Sequence, residues 1–255
     1  MAASLAATPR RFAPLGNKPA RDGAQKLKGI VFDMDGTLCE PQTYMFGEMR
    51  SALGITKGVD VLDHIYSLPA SEQESAHEKI CAIEREAMAS QAPQPGLVAL
   101  MAYLESKGIQ KSICTRNFDT PVAHLLDKFL PGRHFAPIVT REFRPPKPDP
   151  AGILYIARTW DLEDGGEGLI MVGDSIDDMT AGYKAGAATV LLVNEVNAHL
   201  ASHEHTDLCI RRLDELVDIL DNGFEGHIAR GDETSDTKAR AEKTLKEDKG
   251  EEMIE

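Results

Sequence analysis

Short, nearly unbroken apolar runs recur along the chain, and amphipathic stretches with helix punctuation lie between them. The runs Gly29 to Asp33, Lys111 to Thr115, Ala136 to Thr140, Leu169 to Asp174 and Ala188 to Val193 have the length and continuity of strands buried on both faces of a parallel sheet. Between them, Leu97 to Lys107 follows Pro95 and stops at Gly108, Thr120 and Pro121 open a helix to Phe129, and Asp149 and Pro150 open another to about Trp160. Strand and helix in strict alternation predict an α/β fold, a doubly wound parallel sheet with a Rossmann-like core.

One interval breaks the rhythm. About sixty residues separate Asp33 from the helix after Pro95, and no strand pattern falls in them. Gln42 to Leu53 carries Met45, Phe46, Met49 and Leu53 on one side, Asp60 to Leu68 carries Val61, Leu62 and Ile65, and Ser71 to Glu74 reads as a capping box ahead of Ile80, Ile83 and Ala87. A small helical domain at 41–91 is therefore expected as an insertion into a core made of 27–40 and 92–222.

The ends of the chain read differently from the middle. Residues 1–26 hold five basic residues, one acid and the breakers Pro9, Pro14, Gly16 and Pro19, the pattern of a flexible arm. Residues 228–255 hold nine acids and six bases with few large apolar residues, the pattern of a disordered tail or a lone solvated helix. An Ala- and Arg-rich start also suggests a mitochondrial transit peptide, but its prolines oppose a long amphipathic helix.

Composition narrows the partners. With 28 Lys+Arg against 41 Asp+Glu in 255 residues the net charge is −13, which disfavours phosphodiester backbones and anionic lipid, so no nucleic acid and no membrane partner is expected. The longest apolar runs, such as Ala187 to Val193, fall far short of the roughly 18 to 20 residues of a membrane span. Cys39, Cys81, Cys114 and Cys209 lie far apart with no Cys-x-x-Cys spacing, which reads as reduced thiols and a cytoplasmic location, the mitochondrion being the alternative.

The polar residues that could carry chemistry stand at the carboxyl ends of the predicted strands, where open α/β sheets bind ligands. Strand one ends in Asp33-Met34-Asp35-Gly36-Thr37, strand two in Cys114-Thr115-Arg116-Asn117, a later loop holds Pro146-Lys147-Pro148-Asp149, and strand four ends in Gly173-Asp174-Ser175-Ile176-Asp177-Asp178. Carboxylates gathered this way repel one another unless a cation lies among them, and oxygen donors suit Mg²⁺. A metal site among these carboxylates is expected.

This ordered set of four motifs resembles the haloacid dehalogenase-like hydrolases over residues 27 to 220, in a capped branch similar to phosphoglycolate phosphatases. The resemblance implies a Mg²⁺-dependent phosphatase working through an aspartyl-phosphate, with Asp33 as nucleophile and Asp35 as general acid and base. It also implies that Thr115 and Lys147 hold the transferring phosphoryl group, that Asp33, Asp35 and Asp174 ligate Mg²⁺, and that Asp178 ligates it or orients a metal-bound water. Spacing to Ala181 and Gly182 favours Asp178 over Asp177 for that last role. Helices placed directly after the first motif correspond to the family's cap, which implies a small phosphorylated metabolite as partner. A phosphomutase of the same family, or a binding or regulatory module without chemistry, are the alternatives.

Arg116 departs from the family pattern. Its guanidinium suggests a partner for an anionic leaving group, with Arg141 and Arg144 as further candidates, and a solvated or acid-paired arginine is the alternative for each. Cys39 and Cys114 flank the expected site, where oxidation could silence it, although buried thiols are ordinarily inert.

Overall fold

The computed structural model describes residues 9–228. The first eight residues and almost all of the expected tail lie outside these. In chain order the elements are β1 (Arg11–Phe12), β2 (Gly29–Phe32), α1 (Thr43–Leu53), α2 (Val61–Ser67), α3 (Ala70–Ala89), α4 (Leu97–Ser106), β3 (Gln110–Cys114), α5 (Asp119–Phe129) and β4 (Ile138–Val139). They continue with α6 (Ala151–Thr159), β5 (Leu169–Gly173), α7 (Ile176–Ala185), β6 (Ala188–Leu192), β7 (Leu208–Ile210), α8 (Glu215–Asn222) and β8 (Phe224–Glu225).

Six strands form one parallel sheet in the order β4-β3-β2-β5-β6-β7. Alternate side chains on each strand enter different cores, because the strand repeat is two residues. Ile30 and Phe32 of β2 pack with Leu100, Leu104 and Leu125 on one face, whereas Val31 packs with Ile153, Met171 and Ala181 on the other. Helices cover both faces, so the fold is the doubly wound α/β sheet. The chain leaves β2 toward β3 and β4, then returns to β5 on β2's other side, and this reversal opens a crevice at the carboxyl ends of β2 and β5.

The interval without strands forms three helices with a core of their own, in which Met45, Met49, Val61, Leu62, Ile65 and Ile80 are buried. The capping box expected at Ser71 to Glu74 does not cap. α3 begins at Ala70 with Pro69 at its N-cap, so Ser71 already lies inside the helix. A capping box occurs instead at Ser175 and Asp178, at the start of α7.

Residues 9–26 correct the expectation of a flexible arm. β1 pairs antiparallel with β8, and Phe12 is 2% exposed beside Phe224 at a ring separation of 5.7 Å. One apolar residue inside a basic, proline-broken stretch carries no periodicity, so its docking is invisible until β8 is in place. Phe12→Ala should lower unfolding stability by about 3 kcal/mol in a denaturant titration; an unchanged midpoint would mean that this strand contributes nothing to the core. β7 also escaped the pattern, because its three residues are too short to show a period.

Candidate active site

Four strand ends converge on the crevice. Asp33 extends β2 by one residue, its amide donating to the Val172 carbonyl at 2.9 Å, and this pairing fixes the carboxylate beside the end of β5. Gly36 then turns the chain at φ +81, where a Cβ would strike the Asp174 carboxylate, so this position needs glycine for both conformation and space. Thr115 follows β3 and donates its amide to Val139 at 2.8 Å; its hydroxyl accepts from the Asn117 amide at 3.1 Å. Lys147 enters from the loop before α6 with its side chain 4% exposed, and its Nζ donates to Asp33 at 2.7 Å and to Asp178 at 2.5 Å.

The electrostatics follow from this crowding. Oxygens of Asp33, Asp174 and Asp178 lie within 4.8 Å of one another. Burial first, and then Asp178, push the Asp33 carboxyl up to about 7; burial and Asp33 push Asp174 up to about 8. Burial alone would lower Lys147, but Asp178 and Asp33 hold it above its ordinary range, so the ammonium stays charged. The capping box engages Asp178 further, since its Oδ2 accepts from the Ser175 amide and hydroxyl while its Oδ1 accepts from Lys147. Asp174 is steadied by Asn197, whose Nδ2 donates to its backbone carbonyl at 2.7 Å.

Of the four acids expected at a metal, three share the cluster. The Asp35 carboxylate lies outside that group and accepts from Asn117 Nδ2 at 2.9 Å. Burial raises the Asp35 pKa even though Asn117 and Cys39 bond to it. The two neighbouring acids separate as well. Asp178 faces the cluster, whereas Asp177 bonds to Arg116 at 2.6 Å.

Each of the three arginines has a partner within the protein. Arg116 lies between Asp177 and Asp60, so its charge is matched by carboxylates from both sides rather than offered to a substrate anion. Arg141 is buried and paired with Glu84 of α3, and Arg144 lies over the Tyr66 ring at 3.2 Å from its centre. Cys39 and Cys114 are buried; burial raises both thiols, Cys114 to about 12, which opposes thiolate formation and oxidation.

Asn117 stood in the second motif without a role, and Glu84 stood outside the motifs. Asn117 orients Asp35, and its Oδ1 accepts from the Phe118 amide and, at 3.4 Å, from Arg141, which in turn holds Glu84. Glu84 had a visible signal. It stands four residues after Ile80 and three before Ala87, an acid on the apolar stripe of α3, and such a residue needs a buried partner.

Above the cluster lies a cavity of about 320 Å³ between the strand ends and the inserted helices. Asp33, Asp35, Thr115, Lys147 and Asp174 line its floor. It falls at the small end of small-molecule pockets. No helix among the described residues is long and apolar enough to cross a membrane.

Known proteins are similar to this chain in sequence and fold. The chain is 46% identical over 206 residues to a hydrolase of Saccharomyces cerevisiae, which covers 78% of this chain and 94% of the yeast protein. It is 31% identical over 133 residues to phosphoglycolate phosphatase 1 of Pseudomonas aeruginosa, covering 51% of this chain and 48% of that one. The crystal structure of a family IA, variant 3 hydrolase from Entamoeba histolytica superposes with a TM-score of 0.62 at 19% identity, over 76% of this chain and all of that chain, a likeness of fold. Residues 27–186 match the haloacid dehalogenase-like hydrolase family, and they span every strand end that builds the crevice. With its acids and its lysine at the switch point of the sheet, the chain belongs to the haloacid dehalogenase-like hydrolases.

Proposed function

We propose that the protein is a Mg²⁺-dependent phosphatase of small phosphomonoesters, with Asp33 as its nucleophile. The observation that carries this is the Asp33 carboxylate at the cavity floor, held by Lys147 and crowded by two further carboxylates. Asp33 attacks phosphorus, the bond to the leaving oxygen breaks, and Asp35 supplies the proton that oxygen needs. Asp35, now a base, takes a proton from the water that opens the aspartyl-phosphate. Thr115 and Lys147 hold phosphoryl oxygens through both steps, and the inserted helices act as a cap that limits water and substrate size.

The donor set fits a magnesium ion. Asp33 and Asp174 are hard oxygen donors whose pKa values are raised by burial first and then by the neighbouring carboxylates, and Asp178 braces Lys147 beside them. Bound there, the ion would neutralise charge on the phosphoryl oxygens. Incubation with a phosphomonoester in ¹⁸O water tests the reaction. Label in the released phosphate is expected; unlabelled phosphate, or transfer to a sugar hydroxyl as in a mutase, would count against hydrolysis.

A pH dependence follows from the same groups. Between about pH 4 and 8 the folded protein keeps protons on Asp33 and Asp174 that the unfolded chain has released, so without divalent cation stability falls as pH rises through that window. Mg²⁺ binds the ionised form and should raise the thermal midpoint more at pH 8 than at pH 5. Equal stabilisation at both pH values would place the ion elsewhere.

A further inference from the structure

The cavity has a charged floor and an apolar roof. Met45, Met49, Val61, Leu62 and Ile80 close it from the insert, and Phe46, 45% exposed, stands among its lining residues. Three cations line it among the described residues, and each is engaged. Lys147 lies between Asp33 and Asp178. Arg50 turns to backbone carbonyls, its Nη1 donating to Phe46 at 3.3 Å and its Nε to Val59 at 3.5 Å. Arg116 bridges Asp177 on the core and Asp60 on the insert.

Asp60 is well placed for this. It is the N-cap of α2, its Oδ1 accepting from the amides of Leu62 and Asp63 at 2.9 and 3.0 Å while its Oδ2 takes Arg116. Burial would raise its pKa, but those amides and the guanidinium pull it below the usual range, so it is ionised when it meets Arg116. A leaving group carrying a carboxylate or a second phosphate would have to displace Asp60 or Asp177. An uncharged body meets apolar side chains and displaces nothing.

Resting on the phosphatase function above, we propose that the substrate is the phosphate ester of an uncharged, largely apolar alcohol, and that Asp60 sets this preference as the second carboxylate on Arg116, which leaves the three groups with a net negative charge. Anionic leaving groups are rejected because the arginine that would receive them is already paired. Asp60→Asn is the informative variant, since asparagine keeps the capping acceptor and removes the charge.

The test compares kcat/KM of the full chain with Mg²⁺ for propyl phosphate and for phosphoglycolate, which is similar in length but carries a carboxylate. The wild type should favour propyl phosphate by about tenfold or more, and Asp60→Asn should raise kcat/KM for phosphoglycolate by about tenfold while moving propyl phosphate less than about threefold. Adding Arg116→Ala should erase that gain. A wild-type preference for phosphoglycolate, or an Asp60→Asn effect equal on both esters, would overturn the proposal. p-Nitrophenyl phosphate separates the two levels: a wild type that turns it over yet prefers phosphoglycolate loses this proposal but keeps the phosphatase function, whereas one that turns over no ester loses the phosphatase function and this proposal with it.

Discussion

Asp33→Asn is expected to abolish turnover, by at least about a thousandfold in kcat, while the fold persists. The amide matches the carboxylate in shape, so the bond to Lys147 can be kept through the remaining oxygen, but it is a poor nucleophile toward phosphorus. Removing one of three crowded carboxylates also relieves repulsion, because Asp178 and Asp174 stand against Asp33. The variant should therefore melt no lower than the wild type in divalent-free buffer at neutral pH. Loss of activity with an unchanged or raised midpoint separates a chemical role from a structural one; residual activity near a tenth of wild type would remove Asp33 from the chemistry.

Lys147→Met carries the largest expected effect on stability. The ammonium is almost fully buried and bonded to Asp33 and Asp178. Methionine fills a similar volume but leaves buried carboxylates without their cation, a change that costs about 3 kcal/mol or more. The sign of its pH dependence is fixed: the deficit relative to wild type should grow as pH rises and the carboxylates ionise, and shrink in acid where they are protonated. Activity should fall as well, because nothing then holds Asp33 beside the phosphoryl group. Thermal melts from pH 5 to 8 check the first outcome, and a deficit independent of pH would show that packing, rather than charge, is what the substitution disturbs.

Much of the fold was legible because parallel strands buried on both faces must be continuously apolar, as Ile30 to Phe32 and Leu169 to Val172 are. Acids such as Asp33 and Asp174 stand out at the ends of such runs for the same reason. Elements of two or three residues were not legible. Phe12 docks through a single ring, β7 has three residues, and the Asn117 amide has a role only once Asp35 lies beside it.

The sequence by itself determined the alternation of strands and helices, the place of the insertion and the set of polar strand ends, since each depends on neighbours within a few residues. Only the tertiary structure decided which charges meet. Arg116 carries the same guanidinium whether it faces a substrate or two acids, and its partners stand 56 and 61 positions away, one of them on another helical layer. Charge pairing depends on distance in space and on burial, and neither is written in local order.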